Sequence, residues 1–193
     1  MKTTAKFVDL SNYYNHSLDD DIHYKPGNDL KAVPHGIHNF TGVPFDVNGL
    51  IQLSGRISKE KTKHDYPAEV KGIPVNLCGE KVHFLQCASW HDQPDTKIGE
   101  YRLHYANGHT EIIPIIYQKN VFDWWVLPDD TPQVSDAEVA WKGDNERTRD
   151  LDYYIQFYKY TWNNPFPSIE ITSIDFVSDG QESAPFLMAI TVE

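Results

Sequence analysis

The chain has 193 residues, with 17 Lys and Arg against 28 Asp and Glu, a formal net charge of −11. Hydrophobic residues make up 40% and charged residues 23%, the balance of a globular protein with one sizeable core, so one domain rather than two is expected. The acidic balance argues against nucleic-acid backbones and anionic membranes, whose affinity rests on clustered Lys and Arg.

The N-terminus, "MKTTAKFVDL", lacks the apolar core of a secretory leader, and no run of about 18 apolar residues follows. As written, the chain reads as cytoplasmic, or as exported within a longer parent. Residues 1–42 are polar and turn-rich, and are predicted as a loop-like cover over a sandwich core formed by 43–193. Within them "SLDDDIH" offers Asp19, Asp20 and Asp21 as oxygen ligands. A structural calcium is the functional reading there; a solvated acidic run is the reading preferred, and no cofactor or metal is assigned. His35 and His38 sit in "PHGIH", where Pro and Gly deny the helix that would bring them to one face.

Past residue 42, short β-rich runs recur between Gly, Pro, Asn and Asp, and helical periodicity is nearly absent. "VPFDVNGLIQLSG" (43–55) is the first run. The basic stretch 59–63, "KEKTK", reads as a solvated loop. "KVHFLQCASW" (81–90) is apolar on both faces, as a central strand is. Cys78 and Cys87 show no metal spacing and read as free thiols, with a disulfide across the turn as the alternative. In "GEYRLHYANGHTEIIPIIY" (99–117), Asn107-Gly108 supplies the positive φ of a tight hairpin, and Pro114 marks an edge or a bulge. Further strands are predicted at 137–143, 151–162, 168–179 and 184–193, the last central. Eight to ten strands without intervening helices suggest an all-β sandwich or barrel, and a single-domain β-sandwich is the fold expected.

Catalytic signatures are absent: no G-x-S-x-G elbow, no HExxH and no phosphate-binding glycine loop. Ser89, His91 and Asp92, crowded into the four-residue stretch 89–92, cannot reach one another as a triad, which is a spatial arrangement. What remains is aromatic and polar mixing at strand ends: Trp90-His91-Asp92, Asp123-Trp124-Trp125 in "NVFDWWVLPDD", and Trp162-Asn163-Asn164. An indole face beside acids and imidazole suits a sugar ring, which has apolar C–H faces and a rim of hydroxyls. Adjacent side chains of an extended strand point to opposite faces, so one of Trp124 and Trp125 is expected in the core and the other outside. Trp90, His91, Asp92, Asp123, Trp124 and Trp125 are therefore the candidate ligand-binding residues of a non-catalytic module. The alternative is an interaction domain whose exposed aromatics meet a partner subunit; a metal-dependent or glycoside-acting enzyme ranks third. The sequence sets no oligomeric state.

Several segments, among them "LKAVPHGIHNFTGVPFDVNGLIQLSG", "IGEYRLHYANGHTEIIPIIYQKNVFDWW" and "TWNNPFPSIEITSIDFVS", resemble a bacterial β-sandwich module found appended to larger regulatory or secreted proteins. The likeness runs from about Phe7 to Glu193. "GVPFDV" is also similar to the strand entry of galactose-binding-like jelly-roll domains attached to glycosidases. The resemblance implies a jelly-roll fold and a non-catalytic, carbohydrate-binding role, and it carries no functional residue onto this chain. "YQKNVFDWW" departs from the module's YG-x-D-x-x-DWW pattern at Gln118 and Asn120.

Overall fold

A computed structural model describes residues 5–130 and 134–193; Met1 to Thr4, part of the stretch read for a leader, lie outside them. Among the described residues the strands are β1 (Lys6–Phe7), β2 (Gly36–Phe40), β3 (Val43–Val47), β4 (Ile51–Gln52), β5 (Glu69–Leu77), β6 (Lys81–Ser89), β7 (Lys97–Tyr105), β8 (Thr110–Ile116), β9 (Trp125–Val126), β10 (Ala137–Gly143), β11 (Tyr154–Asn163), β12 (Ile171–Ser178) and β13 (Ala184–Val192). Two short helices interrupt them, α1 (Arg56–Lys61) and α2 (Glu146–Asp150). None of the described helices is long and apolar enough to cross a membrane.

One sheet runs β1-β13-β6-β11-β10, with β4 also pairing β13 and β9 pairing β11; the other runs β5-β12-β7-β8. Taking β4, β5, β6, β7, β8, β11, β12 and β13 as a series, the first sheet has the order one-eight-three-six and the second two-seven-four-five. That alternation between two packed antiparallel sheets is the double Greek key of a jelly roll. The fold is an all-β sandwich.

Its interior is aromatic. Phe84 of β6 stacks on Tyr101 of β7 at 4.1 Å, and Tyr101 on Phe176 of β12 at 5.1 Å. The Tyr101 hydroxyl donates to Gln86 Oε1 at 2.7 Å, so Gln86 faces the second sheet. By strand alternation, Cys87 and its cross-strand partner Phe186 face the other way. That outer face is not left to water. The N-terminal segment covers it and buries Leu18, Ile22, Leu30 and Val33, while β2 and β3 form a separate hairpin.

The β7–β8 turn closes with Gly108 N donating to the Tyr105 carbonyl at 2.9 Å, and Gly108 alone of the Asn-Gly pair takes positive φ, 85°. The turn is thus one residue longer than an Asn-Gly two-residue loop. Pro114 falls on β8, the edge strand, where its missing N–H costs no ladder bond. Cys78 is exposed, Cys87 buried, and both are free thiols. Burial raises the Cys87 thiol well above its ordinary value.

Candidate functional site

Strands β6 and β11 pair from Lys81/Asn163 as far as Gln86/Tyr158 and then splay. The segment carrying "FDWW" fills the gap. Ala88 N donates to the Phe122 carbonyl at 2.9 Å, and Trp124 N donates to the Ala88 carbonyl at 2.8 Å. On the other side Gln156 N donates to the Trp124 carbonyl at 3.0 Å, and Trp125 pairs with Ile155. The chain bends at Trp124, before β9 begins. The bend defeats strand alternation: both indoles line one pocket, with ring centroids 6.1 Å apart. Trp124 is buried at 2% exposure and also packs on Phe186, while Trp125 is half-buried against Tyr153.

The pocket encloses about 210 Å³. Its walls are Trp90, Ser89, Asp123, Trp124 and Trp125 from the sheet, His23, Lys25 and Asn28 from the N-terminal cover, and Lys61 and Thr62 from the end of α1. A site on the outer face of a jelly roll is thus completed by two segments that are not strands.

The cover is held in place by side-chain amides. Asn15 Nδ2 donates to the Gln52 carbonyl at 2.7 Å, and Asn15 Oδ1 accepts from Gln52 N at 2.9 Å, which clamps the segment to β4. Asn28 Nδ2 donates to the Ile22 carbonyl at 3.0 Å. Asn145, at the start of α2, donates to the Asp29 carbonyl at 2.8 Å and to Asn28 Oδ1 at 3.3 Å. These bonds fix a 3₁₀ turn, Ile22–Tyr24, that presents His23.

His23 stacks on Trp90, centroids 4.5 Å apart and planes 21° apart. Its Nε2–H donates to Gln52 Oε1 at 3.0 Å. Burial, with the Gln52 bond opposing it, holds this imidazole down to about 4, so it is neutral at physiological pH. His23 (φ 60°), Tyr24 (φ 54°) and Trp90 (φ 67°) all occupy the left-handed region. For non-glycine residues that region costs of order 1 kcal/mol or more each, and such backbones cluster at functional sites. Here three of them meet at one rim.

Asp123 is buried, and burial pushes its carboxyl up to about 7, opposed by backbone N–H groups of Trp125, Trp90 and Trp124. Trp125 N donates to its Oδ1 at 3.2 Å. His91, exposed, places Nε2 3.4 Å from its Oδ2. The indole Nε1 of Trp125 is buried without a hydrogen-bond partner among the described residues, as is Gln52 Nε2 behind His23. Unsatisfied buried donors cost about 1–3 kcal/mol each.

Four of the residues singled out from the sequence, Trp90, Asp123, Trp124 and Trp125, therefore meet in one pocket. His91 touches Asp123 but does not line the pocket. Asp92 does something else: its carboxylate accepts Ser183 N at 3.1 Å and Gln93 N at 2.9 Å, fastening the loop before β13. The sequence assigns no site role to His23, Lys25, Asn28, Lys61 or Thr62, yet all five line the pocket. Lys61 belongs to α1 and the pocket wall rather than to a solvated loop. In the acidic run, Asp20 and Asp21 accept the loop N–H groups of Ser17 and Gly27 at 2.8 and 2.9 Å. No group of three or more His, Cys, Asp or Glu among the described residues is placed to hold a metal.

The chain matches no protein-family model and no curated protein sequence.

Proposed function

We propose that this protein is a non-catalytic binding module whose pocket takes a small polar ring, a saccharide being the chemistry that suits it best. The observation that carries this reading is the pairing of apolar and polar groups in one recess: three indoles beside the Asp123 carboxyl. Indole surfaces suit the C–H faces of a sugar. A carboxyl that titrates near neutrality both donates and accepts hydrogen bonds, as a ring of hydroxyls requires. The volume is below the roughly 300 Å³ at which drug-sized sites begin, which fits one ring rather than an oligomer. The likeness of "GVPFDV" to galactose-binding-like domains supports the same reading, and so does the jelly-roll strand order.

Among the described residues Asp123 is the single carboxylate lining the pocket. Glycosidic cleavage uses two, so recognition is favoured over hydrolysis. Isothermal titration of the protein with a panel of monosaccharides tests the proposal. Saturable binding at millimolar or tighter affinity, lost in Trp125→Ala, is expected. Silence from every sugar at about ten times that concentration would overturn it.

A further inference from the structure

In a chain of net charge −11, the mouth of the pocket is basic. Lys25 and Lys61 line the pocket itself, and an adjoining recess is walled by His23, Tyr24, Lys25, Lys61, Thr62 and Lys63. Among the described residues no acid lines the adjoining recess, and Asp123 is the one acid lining the pocket. Among the described residues none of the three lysines forms a salt bridge. Two of the neighbouring acids are already engaged: Glu60 holds Arg56 at 2.6 Å, and Asp21 accepts Gly27 N. The lysines are brought together by a defined contact. Tyr24, next to Lys25, stacks on His64, next to Lys63, with centroids 4.4 Å apart and planes 4° apart. That stack staples the N-terminal cover to the segment after α1.

We infer that the ligand of this pocket is anionic: a polar ring carrying a carboxylate, sulfate or phosphate group that reaches Lys25 and Lys61 while the ring lies among the indoles. Two ammonium groups without internal partners, focused on a recess with apolar walls, attract an anion far more strongly than scattered surface lysines do. The neutral state of His23 leaves the ammonium groups as the positive charge of the site. This inference rests on the saccharide reading above and narrows it.

The test is a calorimetric titration with D-glucose, D-glucuronate, D-glucose 6-sulfate and D-glucose 6-phosphate, on the wild type and on a Lys25→Gln/Lys61→Gln double variant. Both lysines are exposed, so the variant keeps its fold. At least one charged sugar is expected to bind ten-fold or more tighter than glucose. That preference should vanish in the double variant and shrink with added salt. Which of the three anions binds tightest names the group. Equal binding of glucose and every charged sugar, or a preference that survives the double variant, overturns the anionic inference alone. Binding by none of the four overturns the anionic inference, and silence of the whole monosaccharide panel overturns the saccharide reading with it.

Discussion

The imidazole of His23 lies flat on the indole of Trp90, 4.5 Å between centroids, although the two residues are far apart in the chain and both hold left-handed backbones. The stack joins the N-terminal cover to the end of β6. It also uses one face of Trp90, whereas the half-buried Trp125 has no ring of the described cover stacked on it.

The two tryptophans of "DWW" should separate by experiment. Trp124→Ala removes a buried indole packed on Phe186 and is expected to cost about 3–5 kcal/mol, read as a lowered denaturant midpoint. Trp125→Phe keeps the ring contact with Tyr153 and loses the unpartnered N–H. It should leave the midpoint within about 1 kcal/mol of wild type and weaken sugar binding.

Asp123→Asn should stabilise the protein at neutral and alkaline pH. The folded carboxyl titrates at about 7 against 3.8 for an ordinary Asp, so between those values the folded state binds more protons than the unfolded one. This residue's contribution therefore falls as pH rises from about 4 to 7. The neutral amide escapes that cost and is expected to gain about 2–4 kcal/mol above pH 7. A chemical-denaturation series across pH checks it, and equal stability of the two proteins at pH 8 would refute it.

The histidines act in the opposite sense. His16 and His23 are each held down to about 4, first by burial. Below 6.5 the unfolded chain takes up protons that the folded chain refuses, so stability is lost as pH drops from 6.5 towards 4. Two such groups outweigh the single opposing Asp123. Thermal midpoints should fall over that window, and a His16→Gln/His23→Gln variant should show a flatter profile.

Asn145→Ala is expected to cost about 1–3 kcal/mol, because the side chain both accepts Thr148 N at the start of α2 and donates to Asp29. It should also weaken ligand binding, since Asn28 and His23 lose part of their support. Denaturation and titration of the same variant report both effects.

Much of this architecture was readable in the residues. The strand at 81–90, the hairpin through Gly108, the edge placement of Pro114 and the central β13 all follow from alternation and turn chemistry, which are local. The strand-end residues Trp90 and Asp123 were legible for the same reason. Alternation separates Trp124 and Trp125 correctly by burial, one in the core and one half-buried, but not by face, because the segment fills a splay between β6 and β11 and bends, a circumstance set by partners distant in sequence. Asp92 misled by adjacency: next to Trp90 in the chain, its carboxylate is committed to Ser183. His23, Lys25 and Asn28 carry no local signal. Only the packing of a turn-rich cover and a short helix against the sheet brings them to the pocket. A cluster of Lys59, Lys61 and Lys63 in so acidic a chain was the one hint available.

The most direct measurement follows the five indole N–H cross-peaks in an ¹H–¹⁵N spectrum during titration with monosaccharides, with Trp125→Phe assigning one of them. Saturable shifts of the Trp125 and Trp90 signals, with Trp141 and Trp162 unmoved, are the expected result. No indole shift at any sugar concentration into the millimolar range, or shifts confined to Trp141 and Trp162, would contradict a sugar-binding pocket at this place in the fold.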